Sequence, residues 1–532
     1  MLKFARFYQD EKSSNVELTV KEDMNSEEGA GTEDLVPQLT KTDMALVESG
    51  DEVLAKKMYL VNNAIDEIGF TWYHAKLFCI AGFGYSVDSQ MEMIQSSVKT
   101  YVDRQFGRDF PVATECFYAA LITGSILWGF SGDIIGRKLA FNLSLFLSAI
   151  FGFLTGGMGS YATYVIMMYI STLCAGGNIA MDVAVFMEYL PSKYQYLNTS
   201  LAAWWGVGQT IANLVAWAFL PNNSCASADN CPSHLNKGWR YVWYTNSGIV
   251  MAGALYRLFF FKLDETPKFL VSNGRDEEAI ASLQRIADKY NRPCSLTLEQ
   301  LKECGELDSV HYNMKEDGLN WKAIFTAIRA HVKTLFSTKL MAWSTFLVYF
   351  SWLLIGISYS TFYNFLYIFI ASHGGNTGTS TYIVYRNSSL ANFVGIFGPL
   401  LAGAMILIPG VGRRGTMIFG SLSAMAILFA YTTVRTPAGD AGFSSATYFF
   451  VNIYYGCLYA YTPEVFPAQA RGTGVSLALV TARISGAMAP LVYYFGAKSG
   501  SSVPIWVCGA CIGFLSVLAF LMPFEPTRQR TV

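Results

Sequence analysis

Long apolar segments alternate with short polar ones along most of the chain. Twelve of them are close to the length that a helix needs to cross a bilayer, roughly 20 residues. They cover residues 76–98, 112–131, 139–158, 161–189, 198–220, 240–262, 340–371, 387–408, 416–434, 444–462, 472–496 and 504–523. Several contain glycine and polar residues, as helices that pack together in a membrane do. The pattern predicts an all-α membrane protein with twelve transmembrane helices.

The polar regions indicate the domain organisation. Residues 1–58 carry 7 basic and 13 acidic side chains, a net charge of −6, and lack the apolar core of a secretory signal. We predict a disordered acidic tail at 1–65, a six-helix bundle at 66–262, a central loop at 263–339, a second bundle at 340–523 and a short tail at 524–532. One helical face in the central loop is apolar and predicts an amphipathic helix. It comprises Ala279, Ile280, Leu283, Ile286, Ala287 and Tyr290.

Composition excludes several classes of protein. Of 532 residues, 52% are apolar and 14% are charged, whereas an ordinary soluble domain has about 25% charged residues. The net charge of −1 provides no field for binding nucleic acid. The sequence contains no HExxH, GxSxG or phosphate-binding loop motif. We therefore expect neither an enzyme nor a nucleic-acid-binding protein, and we expect no cofactor or metal.

Both termini are expected in the cytosol. The basic residues of the short loops are divided evenly between the two faces, so they do not set the orientation by the positive-inside rule. Basic residues near both ends of the central loop place that loop on the cytosolic side. The loop at 221–239 contains Cys225, Cys231 and the sequon Asn222-Asn223-Ser224. A disulfide between these cysteines and glycosylation of Asn222 both suit an oxidising, lumenal face.

Two short motifs occur twice at a constant separation. The repeated motifs are Gly136-Arg137 and Gly412-Arg413, and Glu188-x-x-Pro191 and Glu464-x-x-Pro467. Each matched position is 276 residues from its counterpart, as in 412 − 136 and 464 − 188. Four equal offsets predict two six-helix halves in the same register. Such halves are typical of transporters that bind their solute between them, near the middle of the membrane.

These motifs resemble those of a known family. Residues 129–138, GFSGDIIGRK, are similar to the loop signature of the major facilitator superfamily. Residues 464–472 resemble the ExxPxxxRG motif of its sugar-porter branch, and ETPKFL at 265–270 and GWR at 238–240 resemble two further motifs of that branch. Gly176-Gly177-Asn178 is similar to fungal relatives of the synaptic-vesicle-protein-related transporters. The resemblance covers about 65–530 and implies a twelve-helix fold that works by alternating access.

Carboxylates inside the apolar segments require a reason, because a charge at the bilayer centre costs roughly 2.5–3.5 kcal/mol. Asp88 lies midway along the first segment and resembles the first-helix aspartate of proton-coupled sugar porters. A static ion pair or a water-lined helix cap is the alternative interpretation. Glu92 follows one turn later on the same face. Asp182 lies in the middle of the fourth segment, and a structural bond to a neighbouring helix is its alternative role. We predict that proton coupling uses these three carboxylates.

Polar and aromatic residues in the other segments are candidates for contacts with a solute. The position 276 residues after Asp88 is Asn364, and Tyr359 and Tyr363 precede it in the same segment. A tyrosine in a membrane helix often serves in packing instead. Arg483 suits either a carboxylate partner or an anionic solute. The predicted solute-binding residues are Asn178, Trp205, Gln209, Tyr359, Tyr363, Asn364 and Arg483.

Charged residues at the predicted cytosolic ends of the helices suit a gate made of ion pairs. Such pairs hold two halves together only where they are partly buried, since exposed pairs contribute little. The predicted gate residues are Asp133, Arg137, Glu188, Arg413, Glu464 and Arg471. One departure from the repeat is Gln195, which stands where the first ExxPxxxR motif would have its arginine.

The predicted function is secondary transport of a small polar or charged organic solute, with proton symport as the preferred coupling. Sugar-like compounds and organic acids are the leading solutes by resemblance. A non-transporting nutrient sensor on the same fold and an inorganic phosphate–proton symporter are the alternatives. We expect a monomer in the lipid bilayer, in the plasma membrane rather than an internal one, with the solute and protons as its partners.

Overall fold

The computed structural model describes residues 52–108, 110–134, 137–225, 231–261, 263–305, 321–373, 381–434, 436–467, 470–496 and 503–525. All regular secondary structure in these ranges is helical. The predicted tail at 524–532 lies almost entirely outside the described residues, as does most of the predicted tail at 1–65.

Twelve transmembrane spans account for most of the helices, and they confirm the twelve predicted segments. Spans 1 to 6 are Trp72–Phe106, Val112–Ile134, Arg137–Gly157, Tyr161–Ala175 with Asn178–Tyr189, Tyr196–Leu201 with Ala203–Phe219, and Gly238–Phe259. Spans 7 to 12 are Lys339–His373, Thr381–Gly395 with Phe397–Ile406, Gly412–Tyr431, Pro437–Val465, Arg471–Gly496 and Val503–Leu521. Below, the inner side is the side of the central loop, and the outer side is that of the loop between spans 5 and 6.

Within the described residues, length and apolar composition alone mark six stretches as able to cross a membrane. They are Val112–Ser131, Arg137–Gly157, Tyr161–Tyr189, Lys339–Phe362, Thr381–Ile406 and Gly412–Tyr431, and Ile505–Leu521 is apolar but shorter. Span 1 is more polar than these, and its polar side chains face protein. Asp88, Ser89, Gln90 and Gln95 are all buried within it. Membrane spans that carry such groups must enclose them among other helices, because lipid cannot satisfy them.

The two halves repeat the same packing. Span 1 packs on span 5, span 2 on span 4, and span 3 on spans 4 and 6. Six spans later, span 7 packs on span 11, span 8 on span 10, and span 9 on spans 10 and 12. The halves meet where span 2 contacts span 11 and where span 5 contacts span 8. The repeat exchanges these two contacts, so the constant offset of 276 residues corresponds to a repeat in three dimensions.

A helix at Glu52–Ile68 corrects the predicted tail boundary at residue 65. Leu54, Met58, Val61 and Ile65 are buried along one of its faces. The charge count over residues 1–58 concealed this face, because acidic residues before it dominate the composition. The final part of the predicted tail is therefore an ordered amphipathic helix.

The central loop contains the predicted amphipathic helix, which spans Asp276–Lys289. Its buried face includes Ala279, Ile280, Leu283, Ile286 and Ala287, so this prediction is confirmed. The face packs against the short helix Pro267–Ser272 and the helix Glu52–Ile68. A further helix, Trp321–Thr334, precedes span 7 and was not predicted.

The outer loop between spans 5 and 6 is closed by a disulfide. Cys225 and Cys231 form the bond, with their Cα atoms 5.6 Å apart. Asn222, the predicted glycosylation site, is exposed three residues after the end of span 5. Asn236 ties this loop to span 1, since its amide nitrogen donates to the Tyr101 carbonyl oxygen at 2.8 Å.

Candidate solute site and its gates

A small cavity lies between the two halves. It is lined by Asp88, Glu92, Tyr118, Leu121, Trp205, Trp352, Gly356, Tyr359, Ser360, Tyr455, Tyr459, Leu479, Ala482 and Arg483. Its volume is about 50 Å³. A bound water requires about 10–15 Å³ of such space, so the cavity has room for a few waters. An organic solute would need the halves to move apart.

Arg483 is the central charge of this cavity. Its Nη2 atom forms an ion pair with Asp88 Oδ2, and the two side chains are only 9% and 2% exposed. Its Nη1 atom donates to the carbonyl oxygens of Leu121 at 2.7 Å and Gly176 at 2.6 Å, and to the Ser125 hydroxyl. The Gly176 carbonyl is accessible because span 4 is interrupted between Ala175 and Asn178. A cation from span 11 is thus held by groups of spans 1, 2 and 4.

Asp88 Oδ1, at the cavity, has no hydrogen-bond partner among the described residues. The same is true of the hydroxyl of Tyr85, whose ring packs against the lining residues Trp205 and Tyr459. A buried polar atom without a partner costs about 1–3 kcal/mol. Water or a solute in an opened cavity would remove that cost. Glu92 is the second carboxylate here, and it interacts with the Tyr118 hydroxyl.

Three predicted solute-binding residues come together across the halves. The Tyr359 hydroxyl of span 7 accepts a hydrogen bond from Trp205 Nε1 at 3.1 Å and from Gln209 Nε2 at 2.9 Å, both from span 5. The Trp205 ring stacks on Tyr455 at an interplanar angle of 14°, with centroids 6.4 Å apart. Flat aromatic faces and hydrogen-bonding groups therefore share one wall. The side chains of Tyr363 and Asn364 lie outside the described part of the structure.

Asp182 and Asn178 are not among the residues that line the cavity. Asp182 Oδ1 is 3.1 Å from Arg257 Nη2, and both residues lie inside the N-terminal half. Arg257 also donates to the carbonyl oxygens of Ile80 and Phe141. Asn178 accepts a bond from the Ser144 hydroxyl at 2.6 Å. Arg257 was not predicted as a site residue, although an arginine inside an apolar segment signals a buried partner.

On the inner side, the predicted gate residues join the halves through buried ion pairs. Glu188 Oε1 pairs with Arg137 of its own half and lies 3.5 Å from Arg471 Nη1 of the other half. Arg413 pairs with Glu464 and also donates across the halves to the Thr199 hydroxyl and, at 3.4 Å, to the Gln195 carbonyl oxygen. Five of the six predicted gate residues thus share this cluster. The side chain of Asp133 lies outside the described residues.

Two glutamates that bind helix starts were not predicted as site residues. Glu265 accepts from the backbone N–H groups of Arg137 at 2.8 Å and Lys138 at 3.4 Å, at the start of span 3. Glu525 accepts from those of Arg413 at 2.7 Å and Arg414 at 3.2 Å, at the start of span 9. Carboxylates stabilise helix N-termini by satisfying their unpaired N–H groups. Each glutamate follows the last span of its half, and that shared position was the available signal.

On the outer side, neutral groups join the two halves, and the sequence did not reveal these contacts. The Tyr385 hydroxyl donates to the Ser97 carbonyl oxygen at 3.0 Å, and the Ser388 hydroxyl donates to Asn213 Oδ1 at 3.3 Å. The rings of Trp217 and Tyr382 lie 5.1 Å apart. Each contact joins the N-terminal half to span 8. The cavity is therefore closed on both sides in this structure.

Two six-helix halves around a closed central cavity define a membrane transport protein. Residues 78–490 match the family model of the Major Facilitator Superfamily, and the chain belongs to that family. It is an integral, multi-pass membrane protein that transports a small solute.

Similar proteins cover almost the whole chain. MFS siderochrome iron transporter 1 of Ceriporiopsis subvermispora is 38% identical over 91% of this chain and 93% of its own. Major facilitator-type transporter hxnZ of Emericella nidulans is 34% identical over 88% and 87%. Synaptic vesicle 2-related protein of Rattus norvegicus is 22% identical over 89% and 82%.

Solved structures agree with the fold. The proton:xylose symporter XylE bound to 6-bromo-6-deoxy-D-glucose has a TM-score of 0.65 and 16% identity, over 85% of this chain and 96% of its own. At that identity the likeness concerns the fold alone.

Proposed function

We propose that the protein is a proton-coupled secondary transporter of a small polar or charged organic solute. It would work by alternating access as a monomer in the plasma membrane, with both termini in the cytosol. The observation that supports proton coupling is the Asp88–Arg483 ion pair, which crosses between the halves at a closed cavity. A carboxylate that holds the two halves together links its protonation to their separation.

Protonation of Asp88 removes the negative partner of Arg483. The guanidinium keeps its charge, because arginine stays protonated in proteins. It then has one donor group available for a solute, while Leu121, Ser125 and Gly176 still hold the other. A proton and a solute would therefore enter the cavity together, and both would leave when Asp88 and Arg483 re-form their pair. Glu92 is the second candidate for the proton.

The cavity wall supports the choice of solute. Trp205, Gln209 and Tyr359 place an aromatic face next to hydrogen-bonding groups, a combination that suits a ring with polar substituents. An organic acid would place its carboxylate on Arg483. A sugar-like compound would use Gln209 and Tyr359. We infer that one of these two classes is the solute.

Uptake into proteoliposomes tests the proposal. The solute panel combines monosaccharides, aromatic and aliphatic carboxylates, and inorganic phosphate, with and without an inward proton gradient. We expect the wild type to accumulate one organic solute only when the gradient is present. Asp88→Asn should abolish this accumulation but retain exchange of labelled for unlabelled solute, because exchange needs no net proton movement. Retained exchange also shows that the variant is folded.

Other outcomes would support a different function. Uptake that is unchanged by the proton gradient and by Asp88→Asn would make the protein a uniporter. Accumulation of phosphate alone would favour the phosphate–proton symporter. A folded protein that binds a solute without moving it would favour the nutrient sensor. Glu278→Gln is a matched control, since Glu278 pairs with Arg275 in an exposed ion pair far along the chain from the cavity residues.

A further inference from the structure

The helix Glu52–Ile68, here called the N-terminal strap, is attached to the inner side of the molecule. Its apolar face is buried through Leu54, Met58, Val61 and Ile65. A turn at Gly69, whose φ of 67° suits glycine, separates it from span 1. The strap is thus fixed at its own position instead of continuing span 1.

Three polar attachments join the strap to segments that are distant in sequence. Lys57 Nζ forms an ion pair with Asp276 at 2.6 Å, at the start of the central-loop helix. Glu67 accepts from the backbone N–H of Ser295 at 2.8 Å and from its hydroxyl at 2.7 Å. Asp66 accepts from the backbone N–H of Ser192 at 2.6 Å. The strap therefore links the central loop to the turn that follows span 4.

The attachment at Ser192 lies within the N-terminal half's part of the inner gate. Ser192 follows Glu188 by four residues, and Gln195 and Thr199 come next along the chain. Glu188 pairs with Arg471 of the other half. Gln195 and Thr199 accept hydrogen bonds from Arg413 of the other half. Span 1 adds another attachment, because His74 Nε2 lies 2.9 Å from the Tyr189 carbonyl oxygen. Residues 188–199, here called the gate segment, are thus bound by the gate on one side and by the strap on the other.

We propose that the N-terminal strap keeps the gate segment ordered and thereby favours the closed inner gate. In the closed state the gate bonds already order this segment. In the inward-open state they are absent, and an unstrapped segment would gain conformational freedom. Ordering the backbone of a residue costs free energy, so the strap removes a gain that would otherwise favour opening. Weakening the strap then shifts the molecule towards the inward-open state.

The inference rests on the alternating access proposed above, but it does not depend on the solute or on protons. Release of about one residue of the gate segment corresponds to a roughly tenfold change in the population of the open state. The strap is held in part by charged groups, so a change in charge on Lys57, Asp66 or Asp276 would shift the gate equilibrium.

Hydrogen exchange of the full chain in lipid nanodiscs tests the strap. The variants are Lys57→Glu, Asp276→Lys and the double reversal, which restores opposite charges. We expect each single reversal to raise amide exchange about tenfold in the gate segment and at the start of span 11. The double reversal should restore protection at both places. Reversal of the exposed Arg275–Glu278 pair is the matched control and should change neither.

Two results would overturn the proposal. Exchange that rises only within the strap and the central loop would make the strap a packing element with no effect on the gate. If the double reversal exchanged its amide hydrogens as fast as the single reversals, the Lys57–Asp276 ion pair would not be the attachment that orders the gate segment. Asp66→Ala is the gentler variant if charge reversal prevents folding, since it removes the bond to Ser192 without reversing a charge and keeps a helix-forming residue. Unchanged exchange of the gate segment in Asp66→Ala would contradict the proposal in the same way.

Discussion

Two buried aspartate–arginine pairs in this molecule have the same chemistry and different positions. Asp88 and Arg483 pair between the two halves, at the central cavity. Asp182 and Arg257 pair within the N-terminal half, 3.1 Å apart. In both pairs, each side chain is at most 9% exposed, and backbone carbonyl groups accept further bonds from the arginine.

The difference between the pairs lies in what must move. Separation of the halves stretches the first pair and leaves the second intact. Removing one member of a buried pair leaves an uncompensated charge, and only the first pair lies where water of an opened cavity would reach that charge. Position relative to the interface between the halves, and not the residue types, thus separates the proposed coupling pair from the structural one.

The largest expected effect comes from Asp182→Asn. It leaves Arg257 buried without a carboxylate, so we expect the free energy of unfolding to fall by about 3–5 kcal/mol. Thermal unfolding in detergent measures this loss. Asp88→Asn should lose less stability, because water in the cavity can solvate Arg483.

Double variants sharpen the same comparison. Asp182→Asn with Arg257→Met should recover much of the stability and keep gradient-driven uptake, since the pair is removed as a unit. Asp88→Asn with Arg483→Met should recover stability but not uptake. Loss of proton coupling in the folded Asp182→Asn/Arg257→Met variant would show that both pairs take part in coupling, against our distinction.

A smaller effect is expected from Gly84→Ala, which changes the structural pair without changing a charge. An added methyl group at Gly84 would overlap the side chains of Arg257 and Asp182. Overpacking of this kind costs about 1–3 kcal/mol, which a shift in the unfolding temperature would report. Gly248→Ala is the matched control in span 6, where the nearest side-chain atom, from Phe153, is 3.8 Å away. Equal effects of the two variants would contradict the assigned contact.

The smallest effect concerns a third buried charge, Lys268, in the short helix after span 6. Burial lowers the pKa of Lys268 to about 7, Arg471 and Arg137 act in the same direction, and Asp66 opposes them. The unfolded chain keeps the ordinary pKa near 10.5. Between these two values the unfolded state binds a proton that the folded state lacks, so stability rises with pH.

We expect this lysine to add about 2 kcal/mol of stability between pH 7 and pH 8.5, from about 1.4 kcal/mol per pH unit. Unfolding of the wild type and of Lys268→Met at both pH values measures it. The wild type should gain stability relative to the variant as the pH rises. An identical pH dependence in both proteins would show that Lys268 keeps its charge on folding, as the buried arginines do.

The sequence predicted the helices better than it predicted the contacts between them. All twelve apolar segments are helical spans, because bilayer length and apolar composition are properties of the chain itself. The gate residues came together because the repeated motifs mark the same helix ends in both halves. The strap was missed because its apolar face is short and follows an acidic stretch, so composition averaged it away.

The packing of neighbouring helices decided which candidate site residues lie at the cavity and which lie inside one half. Asp88, Trp205, Gln209, Tyr359 and Arg483 share the cavity or its wall. Asp182 and Asn178 have the same kind of position along an apolar helix, yet they face the interior of one half. Their spacing gave no sign of this, since a helical position specifies a face but not the helix that covers it.

By itself, the sequence determined the number of spans, the duplicated halves, the family and the charged ends of the helices. Each follows from the composition and length of a segment or from motifs that can be read in the sequence. The tertiary structure decided which charges pair, which pair crosses between the halves, and that hydroxyl and aromatic groups close the outer side. These depend on residues hundreds of positions apart, such as Asp88 and Arg483. The energy of a buried charge is set by the partner that packing brings to it.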